Sequence, residues 1–223
     1  MRQTVTLLGD YFFYAFSTLS IICILAVITT PARSFIIADL YQQLDKNGKE
    51  RALASFAEKL ARAGVEPASF SPQLLIRKRS RELLVLSDDS IIASYPIGLG
   101  RSPVGIKLRG NDQKTPEGQY YICKKLENHR YHLFLQINYP SPDDAKRGSV
   151  QQIIKPGEEA RIEAAWQQMQ PPPTDTALGG PLGIHGFGAE TNWTTDGSIG
   201  LHNIHIEELY WNLATGTPVA IIP

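Results

Sequence analysis

From Gln73 onward the chain is written in short apolar runs, most of them too short for a helix of ordinary length. Leu74-Leu75-Ile76, Leu83-Leu84-Val85-Leu86 and Ile91-Ile92-Ala93-Ser94-Tyr95 are separated by charged or turn-forming residues, with Ser87-Asp88-Asp89-Ser90 placed as a hairpin turn. Runs this short, bounded by turn signals, read as strands. Gln119 to Lys124, His132 to Ile137 (closed by Tyr139-Pro140) and Pro218 to Ile222 continue the pattern. Two helical patterns interrupt it. One runs from Pro156 to Gln170, with an acidic first turn at Glu158 and Glu159 and a stop at Pro171-Pro172-Pro173. The other is the brief Ile206-Glu207-Glu208-Leu209-Tyr210. Many short strands and few helices predict a mostly-β domain over residues 73–223.

What precedes that domain is of another kind. Tyr11 to Ala32 carries no charge and is bounded by Asp10 and Arg33. About 20 apolar residues suffice to cross a bilayer as a helix. A cleaved signal peptide has a shorter apolar core and a small-residue cleavage site, which Thr-Thr-Pro-Ala-Arg-Ser does not supply. Residues 1–33 are therefore expected to form an uncleaved membrane anchor, with a cleaved signal segment as the alternative. Arg2 and the amino terminus place the amino end in the cytoplasm. Residues 34–72 read as a helical stalk and linker. Ser34 to Leu44 is amphipathic, and Asp45-Lys46-Asn47-Gly48 is expected to break it. Lys49 to Ala63 presents Leu53, Phe56, Leu60 and Ala63 before Gly64, and Pro67 and Pro72 mark the linker. A solvated spacer is expected there.

Charge excludes one class of function. Lys and Arg number 22, Asp and Glu 22, so no basic surface is available to drive nucleic-acid binding. Cys23 lies in the apolar run and Cys123 in a predicted strand, which suggests neither a disulfide framework nor a metal site. His202 and His205 are three apart, but no Cys or carboxylate pattern completes a zinc signature. No metal and no cofactor are expected. The Gly98 to Gly105 loop lacks the strand–glycine–helix context of a phosphate cradle.

Residues 184 to 203 concentrate the chemistry. Ile184-His185-Gly186-Phe187-Gly188 leads to Trp193, then Thr194-Thr195-Asp196-Gly197-Ser198-Ile199-Gly200-Leu201-His202-Asn203. His185 ends an apolar run that reads as a strand, and Ser198 follows a glycine suited to a tight turn. A base followed by a nucleophile on a turn suits acyl transfer. On residue types alone the stretch reads first as a loop with one polar histidine and one turn serine.

Over residues 73 to 222 the chain resembles the L,D-transpeptidase catalytic (YkuD) domain. The resemblance rests on Tyr95-Pro96-Ile97-Gly98-Leu99-Gly100 with Pro103-Val104-Gly105, and on Lys114-Thr115-Pro116-Glu117-Gly118. It rests further on Gly183-Ile184-His185-Gly186 and on Trp193 to Asn203. Ile206 to Tyr210 and Gly216-Thr217-Pro218-Val219 follow in order. It implies an L,D-transpeptidase-like β-sandwich or barrel with short helices, behind the transmembrane helix and stalk. The chain departs from the family at one point. Where the family's loop carries its nucleophilic cysteine this chain has Ser198, with Asp196 in the histidine position of one branch and Gly200 in the arginine position.

The resemblance implies peptidoglycan stem peptides as partners, in a bacterial envelope, with the domain in the periplasm and anchored to the inner membrane (secreted if the segment is cleaved). It implies acyl transfer from a stem tetrapeptide with release of D-alanine, for wall cross-linking or remodelling. Ser198 would attack, His185 would move the proton, and the Gly186 carbonyl would orient the imidazole. N–H groups of Asp196, Gly197 and Ser198 would form the oxyanion hole. Trp193 and Asn203 would shape the pocket and brace the loop. A hydroxyl carries effectively no anion at neutral pH, so impaired transfer is expected. A silent peptidoglycan-binding homologue and an L,D-carboxypeptidase-like serine hydrolase are the alternatives.

Overall fold

The computed structural model describes residues 32–189 and 196–223, so the anchor expected at Tyr11 to Ala32 lies, but for its last residue, outside the described part. Among the described residues no helix is long and apolar enough to cross a membrane. The chain divides into two compact units, Met1–Asn47 and Gly48–Pro223. Of the first unit the described part is helical, the beginning of α1 (Ala32–Arg62). The predicted break at Asp45 to Gly48 does not occur. One glycine in a helix costs only about 1 kcal/mol against alanine.

The second unit is built on one mixed sheet. Its strands are β1 (Pro72–Arg77), β2 (Glu82–Ser87), β3 (Ser90–Pro96), β4 (Gly118–His129), β5 (His132–Ile137), β6 (Leu182–His185), β7 (Ile199–Gly200) and β8 (Pro218–Ile222). Their order is β3-β2-β1-β8-β4-β5-β6-β7. Neighbours are antiparallel except β1 with β8 and β6 with β7. The mostly-β expectation holds. The architecture is one curled sheet, a half-barrel, and not two stacked sheets. Just beyond β3, Gly98 and Gly200 exchange both backbone hydrogen bonds at 2.9 Å, which brings the opposite edges of the sheet together at this one point.

The main core is built from Ile76, Leu83, Val85, Leu99, Ile122, Leu135, Ile137, Ile184, Ile199 and Val219, all fully buried. Helix α1 contributes Ala52, Phe56 and Leu60, one apolar stripe at i, i+4 and i+8, with the Phe56 ring 5.5 Å from that of Phe70. Leu53, expected on that stripe, is 37% exposed. Lys49 to Arg62 is therefore part of the domain's core and not a solvated spacer.

Among the described residues the unit adds a short 3-10 helix at Pro67–Ser69 and three α-helices, α2 (Pro142–Val150), α3 (Pro156–Gln167) and α4 (Asn203–Asn212). Helix α2 has no counterpart among the sequence expectations. Its signal was present in Ser141, whose hydroxyl and backbone exchange hydrogen bonds with Asp144 as a capping box, with Pro142 at the first helical position. Helix α4 is longer than the turns expected at Ile206 to Tyr210 and buries Ile206, Glu208, Leu209 and Tyr210.

Candidate functional site

Strand β6 is buried along its whole length between β5 and β7. Gly183 is required there, because a Cβ would stand 2.4 Å from the Leu135 carbonyl oxygen and 2.6 Å from the Phe134 ring. His185 closes the strand, opposite Phe134 on one side and Gly200 on the other.

The imidazole of His185 is 3% exposed. Its Nδ1 lies 2.6 Å from the Gly186 carbonyl oxygen. A carbonyl can only accept, so Nδ1 carries the proton and Nε2 presents its lone pair. Nε2 is buried and has no hydrogen-bond partner among the described residues. The Tyr131 ring stacks on the imidazole at 4.6 Å and 23°. Burial holds the His185 pKa below the ordinary histidine value, and the cationic influence of His129 and Arg130 adds to this. The Gly186 carbonyl pulls the other way. The result is a histidine that is neutral at neutral pH and has one accepting nitrogen, the form a general base needs.

Ser198 stands beside it. The Gly183 N–H donates to Ser198 Oγ at 3.4 Å, continuing the pairing Ile184↔Ile199 and His185↔Gly200 back by one residue. Ser198 directly precedes β7, and this contact holds its hydroxyl against β6, the strand that His185 closes. Ser198 Oγ and His185 Nε2 are not hydrogen-bonded. Such contacts are often loose until a ligand binds.

The turn before Ser198 is pinned from outside. Gly197 has φ +116°, and a Cβ there would meet the Lys114 carbonyl oxygen at 2.1 Å. The Asp196 carbonyl accepts from Lys107 Nζ at 3.3 Å, while the residue itself is exposed. Lys107 has a fully buried side chain and also donates to the Arg109 carbonyl at 2.9 Å and Asp112 Oδ1 at 2.7 Å. Asp112 in turn accepts from the backbone N–H groups of Leu108, Arg109 and Lys114 at 2.7, 3.0 and 3.0 Å. Burial opposes its ionisation, yet Lys107 and these donors hold its carboxyl below the usual range. The Gly98 to Gly105 loop, excluded as a phosphate cradle, has a structural use here. Gly100 donates to Thr115 Oγ1 at 2.9 Å, and a Cβ on it would stand 3.1 Å from Gly197 Cα.

Asn203 braces the loop after the histidine. Its Oδ1 accepts from Phe187 N–H at 3.0 Å and would lie 2.4 Å from a Cβ at position 186. Phe187 is held at φ +52°, a conformation that costs a non-glycine residue free energy. The structure thus brings together His185, Gly186, Asp196, Gly197, Ser198 and Asn203. Trp193 lies outside the described residues. Cys123 is on β4, half-buried, with a thiol pushed up to about 11 by burial, and cannot stand in for Ser198. Sequence reasoning missed Tyr131, Lys107 and Asp112. Lys107 to Gly118 is polar in the sequence, and nothing in it marks a lysine that will be buried.

Residues 71–221 match the family described as YkuD, the L,D-transpeptidase catalytic domain. YqjB of Bacillus subtilis (strain 168), provisionally named an L,D-transpeptidase, is 27% identical over 161 residues, which cover 71% of this chain and 75% of that protein. Among solved structures the chain is similar to Bd1075 of Bdellovibrio bacteriovorus (23% identity, 70% of this chain and 49% of that one, TM-score 0.45). It is similar also to the helical cell shape determining protein Pgp2 of Campylobacter jejuni (18%, 74% and 54%, TM-score 0.46). The L,D-transpeptidase of Xylanimonas cellulosilytica DSM 15894 gives 13%, 69% and 61%, with TM-score 0.41. The chain spans 49% to 61% of the length of these structures.

Proposed function

The chain belongs to the L,D-transpeptidase catalytic domain (YkuD) family, and from that membership we propose that it acts on peptidoglycan stem tetrapeptides in the cell envelope by L,D-transpeptidase-type acyl transfer. The observation that carries the reading is His185, with Nδ1 held by the Gly186 carbonyl and Nε2 buried and without a partner among the described residues, at the end of the strand whose Gly183 N–H holds Ser198 Oγ.

In this reading Ser198 Oγ attacks the peptide carbonyl while its proton passes to His185 Nε2. The tetrahedral oxyanion takes hydrogen bonds from the N–H groups of Asp196, Gly197 and Ser198. One such donor contributes roughly 3 kcal/mol to the transition state, which is why the pinning of the turn by Lys107 and Lys114 matters. The proton on Nε2 then goes to the departing amine of D-alanine, and an incoming amine resolves the acyl-enzyme. Trp193 and Asn203 shape the pocket.

Ser198 stands where the family has cysteine. A serine needs its base to take the proton during attack, and this imidazole is oriented by a carbonyl, which stabilises imidazolium less than a carboxylate does. Transfer is therefore slow. The test is D-alanine release from a disaccharide tetrapeptide, followed by mass spectrometry. Ser198→Cys is expected to raise the rate at least tenfold, and His185→Ala to abolish it in both backgrounds. Product formed with water alone would mark an L,D-carboxypeptidase-like hydrolase.

One observation favours a second reading, a catalytically silent peptidoglycan binder: Ser198 Oγ accepts from Gly183 N–H and makes no bond to Nε2. Binding of the tetrapeptide with no release from either the native chain or Ser198→Cys would establish it. In both readings Tyr11 to Ala32 anchors the chain in the inner membrane with the domain in the periplasm. Extraction of the chain from membranes by alkaline carbonate would refute that placement.

A further inference from the structure

We propose that Tyr131 is a positioning residue for His185: its ring and its backbone carbonyl together fix the plane in which the imidazole presents Nε2. The proposal rests on the reading above, in which His185 is the base.

A single hydrogen bond from Nδ1 to the Gly186 carbonyl sets the tautomer but leaves the ring able to swing about that bond. The hairpin of β4 and β5 removes this freedom. The Tyr131 ring lies nearly parallel to the imidazole, 4.6 Å away. Phe134, opposite His185 in the strand register, adds a second nearly parallel ring at 6.2 Å and 11°. Tyr131 also grips the backbone next to the histidine, because its carbonyl accepts from Gly186 N–H at 3.1 Å. That approach depends on the missing side chain at 186, since a Cβ would stand 3.0 Å from the Tyr131 oxygen.

The tyrosine is itself held. The Arg130 guanidinium lies over its ring, 4.6 Å from the centroid, and the Tyr131 N–H donates to His129 Nδ1 at 3.4 Å. The Arg130 charge also acts on the imidazole, and any charge that His129 takes up acts in the same sense, both against its protonated form. One hairpin tip thus supplies orientation, backbone register and electrostatics to the same ring. Aromatic rings favour offset-stacked or edge-to-face arrangements over others, so a stacked ring carries an orientation preference. A misplacement of about 1 Å at a reacting group can cost on the order of 100-fold in rate.

The experiment uses the full chain with 15N-labelled histidine, the His185 signals being assigned by their loss in His185→Gln. The native spectrum is expected to show the Nδ1–H tautomer and cross-relaxation between Tyr131 and His185 ring protons. Tyr131→Leu is expected to draw the two ring 15N shifts toward each other and to move the titration midpoint up toward about 6.5. Turnover of the tetrapeptide by Tyr131→Leu is expected to lose roughly 10- to 100-fold in kcat with KM within about twofold. Tyr131→Phe, which keeps the ring face, is expected to restore the ring spectrum and recover kcat relative to Tyr131→Leu. A folded Tyr131→Leu chain with native ring shifts and midpoint would overturn the proposal, whatever its turnover. Should that variant fail to fold, the native cross-relaxation decides: its presence together with the spectrum of Tyr131→Phe supports the proposal, and its absence sinks it. The ring signals need no turnover, so failure here is distinguishable from failure of the peptidoglycan reading.

Discussion

At the scale of single residues, the site is governed by positions where a side chain is forbidden. Gly197 combines φ +116° with a Cβ position 2.1 Å from the Lys114 carbonyl oxygen, so two independent penalties act on any replacement. Gly197→Ala is expected to lose about 2–3 kcal/mol, read as a lower urea midpoint with an unchanged slope. It should also displace Ser198 and remove whatever turnover the native chain has. An alanine variant as stable as the native chain would mean that the turn rearranges and that the pinning by Lys114 is unimportant. This part of the site was legible in the sequence, because His185, Gly186, Gly197, Ser198 and Asn203 lie in two short stretches whose order carries the information. Tyr131 was not. It reaches His185 only through the pairing of β5 with β6, and a tyrosine just before a predicted strand gives no sign of what it will stack on.

At the scale of elements, the informative contact is between α1 and α4. Glu208 on α4 accepts from Ser55 Oγ at 2.6 Å and Tyr95 Oη at 2.5 Å, and pairs with Lys59. Burial alone would raise its pKa, but these donors from Lys59, Ser55 and Tyr95 hold it below the usual glutamate value. Its contribution is therefore complete above the unfolded pKa and is lost as pH falls through the lower folded one. Glu208→Ala strands three donors and is expected to cost about 2 kcal/mol, with Glu208→Gln costing less because the amide still accepts. Since Asn203 opens α4 and braces Phe187 beside the histidine, Glu208→Ala should also slow any turnover. Equal unfolding midpoints for native chain and Glu208→Ala would show that α1 is held by its apolar stripe alone. A helix at Lys49 to Ala63 was readable from its periodicity, whereas its burial was not. Charges on three sides and one short stripe of Ala52, Phe56 and Leu60 look the same on a spacer as on a helix docked to a sheet.

For the whole molecule, strand existence was legible for every strand but the two-residue β7, and strand order was not, because the pairing of β1 with β8 and of β6 with β7 joins segments far apart in the chain. That closure buries His185 and leaves His129 and His205 part-buried, and from these three a sensitivity of the fold to mild acid is expected. Burial is the leading cause of lowered pKa values at His129, His185 and His205; Arg130 reinforces it at His129, and His202 and Lys59 reinforce it at His205 against the opposing pull of Glu208. A histidine whose folded pKa is depressed binds its proton more readily in the unfolded chain. The unfolded state therefore gains protons first as pH falls below about 6.5. Stability is expected to be flat above that point and to decline below it, until the folded histidines titrate as well. Urea midpoints measured in steps from pH 7.5 to pH 5 should show the decline, and His185→Gln with His205→Asn should flatten it. Any turnover should follow the same histidine, falling in acid with a midpoint below the ordinary histidine value, because protonated His185 has no lone pair to offer. A stability that held constant from neutrality to pH 5 would show that these histidines are not depressed in the folded chain, and a turnover that rose in acid would remove His185 as the base.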